Sequence, residues 1–293
     1  FHDLLPPKTG IHTSLVDITD LEAVEAAITN RTRAIYAESM ANPTLRVADI
    51  PRLGEIARRH GIKLVVDNTF SPLILSPKKL GADIVVHSMT KFISGASDYI
   101  AGAICADAEF IQQLMDLHNG MLMILGPTMD PQTAFNINLR IPHLPLRMIE
   151  HAQRTQMFAE RLHAMGMTVT YPGLPDHPDH ALMSELHCPE YGYGGILTLD
   201  MGSQEHAYEL LDLLQNEYRF GYVAVSLGYF DTLMSCSGSS TSSEMTEEDK
   251  AAAHISPGLV RLSIGYTGTA EQRWNQLLEA LGRINAIPEK RSA

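Results

Sequence analysis

The segment Asp83–Ser97 reads DIVVHSMTKFISGAS, a β-branched apolar run that passes within a few residues into Ser88, Thr90, Lys91 and then a glycine. Such a run, closed by polar residues and a loop, predicts a buried strand of a parallel sheet. Ligands of open α/β sheets bind beyond the carboxyl ends of the strands, so Ser88 to Lys91 occupy the first place to look for a site. A lysine directly beyond a strand can be held with its amine facing a ligand. Desolvation or neighbouring cations lower its pKa, and the unprotonated amine can form an imine with an aldehyde. Ser88 and Thr90 add hydroxyls that suit a phosphate. Most lysines are nevertheless solvated loop residues, so Lys91 needs a second element before it carries weight.

That element stands 24 residues upstream, where Lys63–Asp67 (KLVVD) forms another strand-like run ending in a carboxylate. An acid in that position can pair with the protonated ring nitrogen of a pyridine cofactor. Working outward, Thr19 and Glu22 have the spacing of a capping box, predicting a helix that opens near Asp20. Arg33–Ala37 reads as a short strand, and Ile50–His60 as a helix capped by Asp49, with Pro51 in its first turn and Gly61 as its stop. Ala101–Ala106 predicts a further strand, followed by a helix from Asp107 to Gly120. A long helical pattern from about Pro145 to Met165 marks the change of domain, giving 1–145 as a large α/β unit and 146–293 as a smaller α+β unit. In the second unit Thr168–Tyr171, Ile196–Met201 and Leu259–Ile264 read as strands, and Gln204–Asn216 and Ala270–Ala286 as helices. Ser235–Ser243 (SCSGSSTSS) reads as a mobile loop.

With 22 basic against 34 acidic residues, the net charge of −12 argues against nucleic acid or a membrane surface as partner. No apolar run approaches the length of a membrane span. Three cysteines without C-x-x-C spacing point to a reducing compartment, and the expectation is a cytoplasmic protein. No G-x-G-x-x-G follows a strand, which leaves a nucleotide-binding dehydrogenase poorly supported. His177 and His180 in HPDH suggest a metal only until a third ligand is sought, and a Pro-rich surface loop explains them better. Cys236 has no adjacent base or cation to activate it.

Taken together, AESMANPT (Ala37–Thr44), VVDNTFSP (Val65–Pro72), the Lys91 segment, AVSLG (Ala224–Gly228) and GLVRLSIG (Gly258–Gly265) resemble the Cys/Met-metabolism family of pyridoxal 5'-phosphate (PLP) enzymes. The resemblance implies a fold-type-I PLP-dependent transferase fold, aspartate-aminotransferase-like, with a mainly parallel sheet domain and a smaller α+β C-terminal domain. It implies Lys91 as the Schiff-base lysine, Asp67 as partner of the pyridine nitrogen, Ser88 and Thr90 as phosphate ligands and Asn42 near the cofactor's phenolic oxygen. Arg261 would grip the α-carboxylate of an amino-acid substrate, with Ser226 beside it. The implied activity is carbon–sulfur bond cleavage by γ-elimination, methionine γ-lyase-like or cystathionine γ-lyase-like, in a homodimer or homotetramer with shared sites. The alternatives are γ-replacement, and a non-catalytic remnant of the same fold.

Met89 and Ala96 depart from the family pattern, which has a small residue and His or Gln at those places, and Ser235–Glu244 replaces a shorter segment. The family's Tyr-x-Arg pair, Gly-Met phosphate loop and ring-stacking tyrosine would lie upstream of Phe1. Either the sequence is incomplete at its N-terminus or the protein has lost part of its cofactor site, and the expectation is a chain incompetent alone.

Overall fold

Strands β1 (Ala34–Glu38), β2 (Lys63–Asp67) and β3 (Ile84–Ser88) lie side by side in parallel, in that order, with Glu38 opposite Asp67 and Asp67 opposite Val86. The structure is a computed structural model and describes residues 5–237, 248, 250, 253 and 255–288. Leu64 and Val66 are fully buried, as alternation about a covered face requires, and Val85 is nearly so. The helix Ile50–Arg59 packs against β2 with Ile50, Leu53, Ile56 and Ala57 inward, and the Asp49 carboxylate accepts from the Arg52 amide at 3.1 Å to start it. β4 (Gly102–Cys105) runs antiparallel to β3, with Ser88 opposite Gly102. No helix spans residues 89–101, so the chain turns back beside the strand it has just left, and the one reversal in this sheet follows.

The second sheet has the order β5 (Val169–Thr170), β6 (Ile196–Asp200), β9 (Leu259–Ser263), β8 (Thr232–Cys236), β7 (Gly221–Val223), antiparallel except for the parallel pair β7 and β8. All residues of β8 and β9 are buried. Between the sheets runs the helix Leu144–Ala164. Its start, Leu144 and Met148, joins the core of the first sheet with Leu64, Val66 and Phe92, and its later turns, Phe158 and Leu162, join the second core with Val260, Leu262 and Trp274. Met183, Ile196 and Leu227, all beyond residue 145, also pack into the first core.

Several local expectations need correction. The helix Leu21–Ala26 is capped by Asp20, whose carboxylate accepts from the Ala23 amide at 2.9 Å, while Thr19 instead donates to Asp17 at 2.8 Å. A carboxylate is the stronger acceptor, and two of them flank the threonine. The helix after Asp107 stops at Leu114, because Asp116 takes the amides of His118 and Asn119 into a turn, and a separate short helix covers Met121–Leu125. Gln204–Asp212 passes into a π-helical turn, Leu213–Glu217. Ser235 and Cys236 are buried in β8 rather than part of a mobile loop; the remainder of that stretch beyond Ser237 lies outside the described residues. His177 is likewise 6% exposed, not a surface-loop residue, and no cluster of three metal-ligating side chains occurs among the described residues. Nor is any described helix long and apolar enough to cross a membrane.

His151 sits at the centre of the long helix with no exposed surface, edge-on to both Phe92 and Tyr266. Its Nδ1 donates to the Ile264 carbonyl and its Nε2 is buried without a partner. Burial pushes its pKa down from 6.5 to about 4. The folded state therefore binds fewer protons than the unfolded one across this window. The group costs stability progressively as pH falls from 6.5 to about 4, and the loss is constant below that. On that basis wild type should lose about 3 kcal/mol more than His151→Phe between the two ends of the window. Denaturant titrations of both proteins at each end check it, and equal losses would show that His151 does not titrate this way.

Candidate active site

The residues that follow β3 close into a compact turn. The Lys91 amide bonds Ser88 O at 3.3 Å, Ser94 N reaches Met89 O at 2.9 Å, and Gly95 N reaches Lys91 O at 2.8 Å. From this turn the Lys91 Nζ donates to Ser226 Oγ at 3.0 Å. Ser226 is brought there by the segment after β7. Gly228, at φ +73°, lies so close to the lysine turn that a Cβ would fall 2.5 Å from Phe92 N, and its own amide donates to Ser263 Oγ at 2.9 Å. Only glycine allows both the left-handed backbone and the contact.

Arg261, on β9, reaches the same serine. It is 2% exposed, and its two terminal nitrogens donate to Asn42 Oδ1 and to the Ser226 carbonyl, each at 3.0 Å, while its Nε is buried without a partner. Burial lowers its pKa to about 10, which leaves it cationic at neutral pH. Asn42 is held in turn by its backbone N–H, which donates to Glu38 Oε2 at 3.0 Å, and it precedes a cis peptide to Pro43. Half-buried Lys91 has its pKa lowered, first by desolvation and second by the Arg261 charge. Lys91, Ser226, Arg261 and Asn42 thus form one continuous hydrogen-bonded chain. Two basic side chains converge on one serine, Lys91 at its hydroxyl and Arg261 at its carbonyl.

Asp67 ends β2 beside this group. It accepts from Tyr36 Oη at 3.1 Å and from the Thr69 amide at 2.9 Å, and Thr69 Oγ1 accepts from the Ser88 amide at 2.8 Å, so the ends of β2 and β3 are tied together. The Thr90 hydroxyl is engaged with Ala101, accepting from its amide at 3.1 Å and facing its carbonyl at 3.4 Å. That second contact is long enough to leave its proton available to a better acceptor.

Tyr36, Glu38, Thr69 and His87 were not singled out by sequence reasoning. Desolvation and the neighbouring carboxylates raise the Tyr36 pKa; desolvation and then Asp67 raise that of Glu38, whose side chain is otherwise partly open to solvent. Desolvation lowers that of His87, with Asp67 opposing, and its Nδ1 is buried without a partner. The signal was there: Tyr36 and Glu38 alternate on one face of β1, which borders β2 in parallel register.

The family model of the Cys/Met metabolism PLP-dependent enzymes matches residues 1–273. The chain belongs to this family. It is 56% identical over 281 residues to a methionine gamma-lyase of Arabidopsis thaliana, covering 96% of this chain and 64% of that protein. An L-methionine gamma-lyase of Porphyromonas gingivalis is 37% identical, covering 88% of this chain and again 64% of the relative. The chain therefore spans somewhat less than two thirds of these curated relatives. A cystathionine gamma synthase of Xanthomonas oryzae, crystallised with aminoacrylate and cysteine, superposes with TM-score 0.87 at 34% identity over 97% of this chain and 72% of its own. A Campylobacter jejuni protein assigned as an O-acetylhomoserine (thiol)-lyase, whose structure holds a pyridoxyl-lysine monophosphate, gives TM-score 0.87 at 27% identity, over 96% and 73%. The expected fold-type-I class is the fold of these family members.

Proposed function

We propose that the protein is a PLP-dependent carbon–sulfur lyase that acts on a sulfur-containing amino acid by γ-elimination, in the manner of the methionine γ-lyases it resembles. The observation that carries this reading is the chain of contacts from Lys91 through Ser226 to Arg261, with Asp67 at the neighbouring strand end. The donor set fits the cofactor: an amine, a carboxylate, two hydroxyls and a buried guanidinium with one nitrogen still unpaired. Lys91 would hold the aldehyde carbon, Asp67 the ring nitrogen, Ser88 and Thr90 the phosphate, and Asn42 the phenolic oxygen. Bound PLP supplies a carbonyl that takes up amines and a ring that accepts the electron pair left at a deprotonated carbon.

Arg261 would receive the substrate carboxylate, exchanging its contacts with Asn42 and Ser226 for a two-pronged ion pair. Ser226, bonded to the lysine amine at rest, would hold that amine near the substrate's α-carbon. Lys91 would then act as general base at that carbon and carry the proton onward, a task favoured by the lowered pKa that burial and Arg261 give it. A second deprotonation, at the β-carbon, would expel the thiol from the γ-carbon, and hydrolysis would yield a 2-oxo acid and ammonia. The same reading divides the chain at 145/146 into a cofactor-binding unit and an arginine-supplying unit, and makes the working protein a cytoplasmic homodimer or homotetramer with shared sites.

The test uses the protein expressed from its whole coding sequence. Borohydride reduction and peptide mapping should place the pyridoxyl group on Lys91. Methionine should release 2-oxo acid and ammonia without an added thiol. A pyridoxyl group on another lysine would refute the site; turnover only of O-acetylhomoserine with added thiol would replace elimination by γ-replacement.

A further inference from the structure

Arg147 is 6% exposed, and among the described residues no carboxylate pairs with it. A buried guanidinium is costly unless its donors are satisfied. Here the acceptors are the carbonyls of Phe92 and Ile93, the latter at 2.9 Å, with His143 Nδ1 at 2.9 Å and Arg140 O at 3.4 Å. Phe92 and Ile93 are the two residues directly after Lys91. Gly95, at φ +74°, belongs to the same arrangement, because a Cβ there would lie 2.4 Å from an Arg147 nitrogen. The other side of the turn is fixed by the bonds of Gly95 N to Lys91 O and Ser94 N to Met89 O.

We propose that Arg147 is a positioning residue of the active site: by clasping the Phe92 and Ile93 carbonyls it fixes the peptide planes that aim the Lys91 side chain. The inference rests on the reading of Lys91 given above. A displacement of about 1 Å in a reacting group costs on the order of 100-fold in rate, so the clasp is worth far more to turnover than to binding. A lysine cannot replace it, since one ammonium on a flexible stem does not hold two carbonyls in a fixed fork.

Arg154 provides the control. It lies seven residues further along the same helix, is 8% exposed, and likewise donates to two carbonyls, but those of Thr267 and Gly268, with Glu150 as its ion partner. In the whole protein, Arg147→Gln and Arg147→Lys should each lower kcat by about 100-fold with KM for methionine within about threefold of wild type. Rebinding of PLP to the apoprotein, followed by absorbance, should weaken by about tenfold in both. Arg154→Gln should lower the melting temperature while leaving PLP rebinding and kcat near wild type. If Arg147→Gln does not fold, Arg147→Lys, which keeps the charge, decides the matter. Wild-type PLP rebinding in an Arg147 variant would overturn the proposal, as would the same loss in Arg154→Gln, which would mark general loosening of the helix. Reduction of the wild-type holoprotein at a lysine other than Lys91 would instead sink the reading on which the proposal rests.

Discussion

On the proposed reading, Lys91→Ala is expected to lower release of 2-oxo acid from methionine by a factor on the order of 10⁴ or more, since it would remove both the amine that holds the cofactor and the general base. The structure makes the loss specific. The amine's one hydrogen-bond partner in the described structure is Ser226 Oγ, so its removal should leave Arg261 and its bonds to Asn42 and the Ser226 carbonyl in place. The variant should still bind a substrate carboxylate, and the measurement is turnover beside the dissociation constant of a non-reacting amino acid. A variant that retained a tenth of wild-type turnover would remove Lys91 from the chemistry.

Arg261→Ala should mainly raise KM, by the equivalent of roughly 2 to 5 kcal/mol for a desolvated carboxylate pair. The absorbance spectrum of the resting holoprotein should stay as it was. Arg261→Lys should recover only part of the loss, because a point charge does not reproduce the two-pronged geometry. Since burial holds the Arg261 pKa at about 10, the wild-type KM should not change from this group anywhere near neutral pH. Wild-type Michaelis constants in both variants would refute the carboxylate role.

The first sheet was legible because its strands are short β-branched runs with polar ends. β2 spans the expected Lys63–Asp67, and β3 begins one residue inside the expected range. β7 and β8 were not, for a physical reason: GYV is too short to show a period, and TLMSC ends in the Ser235 and Cys236 that open the serine-rich stretch, so its composition reads as loop. The site divides in the same way. Asp67 and Lys91 could be weighed from strand-end position alone. The approach of residues 42, 226 and 261 depends on the second sheet meeting the first, and before the coordinates only the family resemblance brought those residues together. Arg147 gave no signal at all, because an arginine in an amphipathic helix reads as solvated until its two carbonyls are seen.

The helix Leu144–Ala164 places Arg147, His151 and Arg154 at intervals of four and three residues, hence along one face. The three side chains grip the carbonyls of Phe92 and Ile93, then Ile264, then Thr267 and Gly268. The first grip holds the lysine turn, and the second falls three residues beyond Arg261 on the chain that leaves its strand. Inserting or deleting one residue between Arg147 and His151 would rotate everything downstream by about 100° and lift one set of grips from its partners. Surface loops can lengthen or shorten over evolutionary time, but this stretch of helix can change only its letters, never its count.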